Sequence, residues 1–230
     1  MVSGGGGGVG REIALELARR EFSLALIGRR EGPLVATLGA SDLPPSRGLA
    51  VTCDVTDPVA MAAACAQIEQ RFGAPEIVVP AAGIVRLGKV SELPAEQFAA
   101  TLATNLNGVF NLLRPLLPAM LRRGRGWLFP ILSVAARQAF PEWGAYAASK
   151  WGLAGLVAAL RAELMGTGVR ITAVYPGATD TPLWDGLRGT WNRAAMVPAS
   201  EVARLIGCAL DSDPRALVEE IHVGPVGGAL

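Results

Sequence analysis

The chain opens Met1-Val2-Ser3-Gly4-Gly5-Gly6-Gly7-Gly8-Val9-Gly10 and continues from Arg11 to Arg20 in a helical pattern. A bare glycine run reads equally well as a flexible leader. Here it stands directly ahead of an amphipathic helix. Glycines at 4, 8 and 10 let the backbone turn tightly and bring its N–H groups and the positive helix end against a pyrophosphate. The spacing Gly-x-x-x-Gly-x-Gly thus points to a dinucleotide-binding start.

Beyond residue 20, short aliphatic runs alternate with longer helical patterns. Strands are expected at Phe22–Ile27, Gly48–Cys53, Glu76–Val79, Gly126–Leu132, Val169–Val174 and Val218–Val223, and helices at Val9–Arg20, Pro58–Phe72, Pro94–Arg122, Tyr146–Met165 and Ser200–Leu210. Ile77-Val78-Val79 is continuously apolar, as a strand buried on both faces should be. This is the pattern of a single-domain α/β fold over residues 1–230, a doubly wound parallel sheet of Rossmann type with helices on both faces. No fixed-period repeat or interior linker divides it.

Composition narrows the chemistry. The chain has 51% apolar and 18% charged residues, enough to bury a sizeable core, and its 21 basic and 20 acidic residues nearly cancel. That balance predicts no nucleic-acid or membrane partner. The uncharged stretch Gln97–Leu113 carries too many Asn, Gln and Thr for a membrane span, and no secretion signal is visible. Three cysteines, Cys53, Cys65 and Cys208, suit neither a disulfide framework nor a zinc site, so a reduced, cytoplasmic, metal-free protein is expected. A single histidine, His222, nearly removes histidine-based relays and multi-histidine metal sites.

Three further segments carry chemistry. The second strand runs out at Leu26-Ile27-Gly28-Arg29-Arg30, with glycine where an acid would hold ribose hydroxyls and arginines that suit a 2′-phosphate. Cys53-Asp54-Val55 puts an acid at a strand tip, within reach of an adenine edge. Tyr146-Ala147-Ala148-Ser149-Lys150 puts a phenol and an ammonium one helical turn apart, with Ser133 upstream. Unit charges about 4 Å apart interact by roughly 4 kcal/mol at an effective dielectric of about 20, enough to lower a phenol pKa by about three units. The chain has only two tyrosines and two lysines, and one of each falls on this spacing.

On these residues the sequence resembles the short-chain dehydrogenase/reductase family in its compact form, from Gly4 to about Leu187 and more loosely to Val223. The resemblance implies that Tyr146 is the general acid/base and that Lys150 holds the nicotinamide ribose and lowers the phenol pKa. It implies that Ser133 polarises the substrate oxygen and that Asn105 positions a water in the proton relay. It extends the cofactor set to Ser3, Gly4, Gly8, Val9, Gly10, Arg29, Arg30, Asp54, Val55, Ala82 and Gly83, with Tyr146 and Lys150 shared. The turn Pro176-Gly177-Ala178-Thr179-Asp180-Thr181 adds Pro176, Gly177, Thr179 and Thr181.

The sequence departs from the family twice. Pro80-Ala81-Ala82-Gly83 stands where the family usually has Asn-Asn-Ala-Gly, and only Met1, Val2 and Ser3 precede the glycine loop, a truncated first strand. The expected function is an NADP-dependent oxidoreductase, with NADP preferred to NAD, that moves a hydride to or from a carbonyl or secondary alcohol carbon of a small molecule. The competing reading is a nucleotide-sensing or scaffold protein that keeps the fold without turnover. The resemblance also implies a homodimer or homotetramer formed through the long helices. Phe140, Trp143, Trp184, Leu187 and Trp191 flank the active-site segments and suggest an apolar mouth.

Overall fold

A computed structural model describes residues 1–228. Its strands are β1 (Val2–Ser3), β2 (Leu24–Gly28), β3 (Gly48–Thr52), β4 (Ile77–Pro80), β5 (Gly126–Leu128), β6 (Val169–Ile171), β7 (Ala173–Pro176), β8 (Thr179–Asp180), β9 (Val197–Pro198) and β10 (Glu220–Val223). Its helices are α1 (Gly8–Arg19), α2 (Glu31–Gly39), α3 (Pro58–Phe72), α4 (Ala95–Leu102), α5 (Gly108–Arg123), α6 (Gly144–Glu163) and α7 (Ala199–Leu210). The central sheet has six parallel strands in the order β3-β2-β1-β4-β5-β6, and β10 pairs with β7 beyond it.

Strand periodicity places a core on each face of the sheet. Leu24, Leu26, Ile77, Val79, Trp127 and Phe129 join one apolar cluster with Ile13 and Leu17 of α1 and Val202 and Ile206 of α7. Their neighbours Ala25, Ile27, Val78 and Leu128 join the other, with residues of α3, α5 and α6. Successive side chains on a strand point to opposite faces, so an uninterrupted apolar run feeds both cores.

The truncated first strand is filled by the residues present. Val2 and Ser3 pair with β2 and β4, Met1 O accepts from Val79 N at 2.9 Å, and the Met1 amine donates to Ile77 O at 2.9 Å. Pro80 ends β4, and its carbonyl accepts from Ile131 N at 3.0 Å. The missing proline N–H therefore falls at a strand end.

Four sequence expectations change, the first being that the strand expected over Val169–Val174 is two, β6 and β7, parted at Thr172. Helix α2 lies outside the helices expected from the sequence, because Gly32 and Pro33 in its first turn and Gly39 at its end mask the pattern. The single helix expected over Pro94–Arg122 is divided by a wide π turn at Ala103–Asn107. Strand β5 ends at Leu128, ahead of Pro130, which cannot donate to a ladder.

Candidate active site

A cleft of about 830 Å³ opens at the carboxyl ends of the parallel strands, where open α/β sheets bind their ligands. One end is built by the glycine loop between β1 and α1. Gly4 has φ 72°, in the left-handed region, and a Cβ there would lie 2.8 Å from Ala82 N. A Cβ on Gly10 would lie 2.4 Å from Gly4 O, so α1 starts in backbone contact with the loop. The residue before α1, Gly7, has no side chain to cap it, which leaves first-turn amides facing the cleft for an anion. Gly8 and Val9 line the same end, and Gly8 lies against Thr181.

Arg29 and Arg30 follow β2 and line the cleft, both exposed. Gly28 leaves no carboxylate between them and the glycine loop. Asp54, Val55 and Ser3 lie outside the lining. The Asp54 carboxylate accepts from Thr56 N and Thr56 Oγ1, each at 2.9 Å, and those bonds hold it below the usual carboxylate range. Val55 is buried against Gly108, and Ser3 is buried beneath Ala82 N. Ala82, Gly83, Pro176, Gly177, Thr179 and Thr181 all line the cleft, with Thr179 Oγ1 donating to Gly177 O at 3.0 Å.

At the cleft floor Ser133, Tyr146 and Lys150 come together. Ser133 starts a short 3-10 turn by accepting from Ala135 N at 3.1 Å. Tyr146 and Lys150 occupy one face of α6, both buried, and Lys150 Nζ donates to Ile131 O at 2.8 Å. That ammonium lies 5.6 Å from the Tyr146 ring centre. The expected three-unit lowering of the phenol is absent from this arrangement. Burial pushes Tyr146 up to about 12, with a hydrogen bond to Ser133 acting in the opposite direction, and burial pushes Lys150 down to about 8. Desolvation outweighs a charge held at that distance.

Asn105 is fully buried on the π turn and does not line the cleft. Its Oδ1 accepts from Ile84 N at 2.8 Å, and its Nδ2 donates to Ile84 O at 2.9 Å and Ser149 Oγ at 3.0 Å. Ser149 Oγ in turn donates to Tyr146 O at 2.7 Å. The side chain thus ties the segment after β4 to the helix that carries Tyr146. Sequence reasoning missed Pro33 and Leu34 of α2, Val85, Arg86, Ile131 and Pro225, which also line the cleft. The unrecognised helix α2 hid the first two, and no motif signals the others.

The described residues contain no helix long and apolar enough to cross a membrane. Residues 1–191 match the family model described as short chain dehydrogenase. A sepiapterin reductase of Chlorobaculum tepidum is 34% identical over 99% of this chain and 96% of its own length. A D-threitol dehydrogenase of Mycolicibacterium smegmatis is 36% identical over 82% of this chain and 74% of its own. Among solved structures, an alcohol dehydrogenase from Thermococcus sibiricus complexed with 5-hydroxy-NADP superposes with a TM-score of 0.88 at 26% identity, covering 100% of this chain and 97% of that one. An actinorhodin polyketide ketoreductase with NADPH gives 0.87 at 28% identity, covering 96% of this chain and 94% of that one.

Proposed function

The chain belongs to the short-chain dehydrogenase/reductase family, and from that premise we propose that it is an NADP-dependent oxidoreductase acting on a carbonyl or secondary alcohol carbon of a small molecule. The observation that carries the reading is the convergence of Ser133, Tyr146 and Lys150 in one cleft with an uncapped glycine-loop helix start. The residues present fit a dinucleotide. The close approach at Gly4 and Gly10 admits only backbone, and the arginines after β2 stand where a 2′-phosphate would lie. Solved neighbours complexed with 5-hydroxy-NADP and NADPH support the same cofactor class.

When bound, the nicotinamide supplies or accepts the hydride. Tyr146 gives its proton to the oxygen of a carbonyl being reduced, and a phenol raised to about 12 by burial keeps that proton at neutral pH. Ser133 donates to the same oxygen and orients it. Lys150 holds the ribose and brings positive charge toward the phenol, which favours the phenolate needed for alcohol oxidation. Asn105, through Ile84 and Ser149, fixes the helix turn on which Tyr146 sits.

Arg29 and Arg30 select the phosphorylated cofactor, and Gly4, Gly8, Val9 and Gly10 receive the pyrophosphate. Half-exposed Phe98, Phe110 and Trp151 on α4, α5 and α6 suit burial against a second copy, giving a dimer or tetramer. Light scattering at micromolar concentration tests that assembly, and a monomer mass refutes it.

The functional test is NADPH titration followed by NADPH consumption with a panel of ketones and aldehydes. Tyr146→Phe should cost several orders of magnitude in turnover with little loss of NADPH binding. Retention of more than about a tenth of the turnover would remove Tyr146 from the proton transfer.

A further inference from the structure

The substrate side of the cleft is walled by rings. Phe140 lies 6.1 Å from Trp143 between ring centres, Trp143 stands edge-on to Tyr146 at 5.5 Å, and Trp184 tilts against Trp143 at 5.9 Å and, outside the lining, is backed by Trp191 at 4.7 Å. These four residues are only half-buried, whereas Tyr146 at the inner end of the row is buried. Tyr146 belongs to a small apolar cluster with Val85 and Ala135, separate from both sheet cores. The sheet therefore does not cover this wall.

Its polar endowment is small. The Trp184 indole N–H is already spent on Thr179 O at 2.8 Å. Beyond Ser133 and Tyr146, which take the reacting oxygen, the polar groups on this side are the Trp143 indole N–H and the side chains of Gln138 and Arg86, the last two exposed at the rim. Among the described residues no aspartate or glutamate lines the cleft. An amine substrate would find no counter-charge here, and the hydroxyls of a polyol would be desolvated without partners. A flat ring, in contrast, gains from offset or edge contacts with the indoles beyond its buried area.

Resting on the oxidoreductase reading, we propose that the substrate is a neutral aryl carbonyl compound, or the matching benzylic alcohol. Its ring lies against Trp143 and Trp184, and its carbonyl oxygen faces Ser133 and Tyr146. In the reducing direction the carbonyl carbon takes the hydride that bound NADPH would supply on oxidation to NADP⁺, the C=O π pair moves to oxygen, and that oxygen takes the Tyr146 proton, leaving a phenolate. The related enzymes named above act on chemically different compounds, so kinship leaves the substrate class open and the wall decides it.

The test compares acetophenone, methyl cyclohexyl ketone and dihydroxyacetone on the purified protein with NADPH. Wild type is set beside Trp143→Leu and Trp184→Leu, which keep apolar bulk and remove the indole. Intrinsic reactivity cancels in the ratio of kcat/KM for the aryl and cyclohexyl ketones, variant over wild type, which should fall by about tenfold in at least one variant. Saturation-transfer NMR of the ketones competing for the protein reads the same preference without turnover, with acetophenone ring protons saturating most strongly and losing that lead in the variant.

A ratio unchanged in both variants, or preferred binding of dihydroxyacetone, overturns the inference. An aryl preference in NMR with no carbonyl compound consumed supports the ring site and removes the oxidoreductase reading, so the two failures are distinct. Circular dichroism and NADPH affinity confirm that each variant is folded.

Discussion

Gly10→Ala adds one methyl group where α1 meets the glycine loop. Its Cβ would stand 2.4 Å from Gly4 O, 2.9 Å from Gly4 C and 3.4 Å from the Ala81 Cβ. A relaxed carbon–oxygen contact needs close to 1 Å more, and the opposing atoms are backbone with no rotamer to adjust. Overpacking of this kind costs about 1–3 kcal/mol. Replacing a helical glycine by alanine returns up to about 1 kcal/mol. The balance is a loss of up to about 2 kcal/mol, or a fall in Tm of several degrees at about 2–4 °C per kcal/mol for a domain of this size. The larger effect falls on the cofactor. Helix and loop must separate to admit the methyl, and the first-turn amides no longer meet the same pyrophosphate, so NADPH affinity should drop at least tenfold. Gly7→Ser is the matched control for Tm alone, since a serine that caps α1 also takes up first-turn amides assigned to the pyrophosphate. Gly7 has an extended backbone (φ −175°), a Cβ there meets nothing within 4 Å, and a serine can cap α1. It should hold or raise Tm by capping and by reducing unfolded-chain freedom. Differential scanning fluorimetry and NADPH titration read both quantities. A Gly10→Ala protein with unchanged Tm and unchanged affinity would refute the claim that the close approach is needed.

Lys150→Met should stabilise the cofactor-free protein at pH 7 while abolishing turnover. The Lys150 pKa falls from 10.5 to about 8 on folding, a penalty of about 3 kcal/mol that is complete below pH 8 and relieved as pH rises toward 10.5. Less about 1 kcal/mol for the lost bond to Ile131 O, the gain at pH 7 is about 2 kcal/mol, and denaturant melts should show it shrinking between pH 8 and 10. Arg29→Ala combined with Gly28→Asp should reverse the cofactor preference from NADPH to NADH, since the new carboxylate repels the phosphate and needs only Leu34 Cδ2, 3.2 Å from the new Cβ, to shift. An unchanged ratio of the two Kd values would count against the arginine assignment. Adding four or five β-branched residues before Met1 replaces a buried amine by an amide and fills the cavity of about 340 Å³ beside Met1, Phe22 and Phe72, so Tm should rise, while NADPH affinity should hold because the glycine loop already hangs from a paired strand. Burial holds the Met1 amine at about 5 against 8.0 unfolded, so a chain starting at Met1 gains stability from pH 5 to 8 as the unfolded form gives up its proton, and the extended chain should lose that dependence. Equal melts of the two chains across that range would contradict the burial of the amine.

What could be read from the sequence is what depends on local spacing. The four-residue step from Tyr146 to Lys150 places both on one face of α6, the glycines at 4 and 10 produce the close approach, and the apolar run Ile77-Val78-Val79 identifies a strand buried on both faces. What depends on distant neighbours could not be read. The Tyr146 environment is assembled from Val85, Leu87, Phe140 and Trp143, so the sign of its pKa shift is set by burial that a Tyr-x-x-x-Lys pattern does not encode. Asn105 could be recognised only as a candidate, because its partners Ile84 and Ser149 lie 21 and 44 residues away and meet it through a π turn that helix periodicity does not foresee.

The two departures from the family pattern illustrate the same division. Pro80 removes a donor from a central strand, yet it ends β4 with its carbonyl still paired to Ile131 N. The short first strand looked deficient, yet Met1 to Gly4 supply partners to Ile77 O, Val79 N and Ile27 O, because the loop needs only that much ladder to hang from. In both places the sequence shows which group is missing, and the hydrogen-bond partners in three dimensions decide whether its loss costs anything.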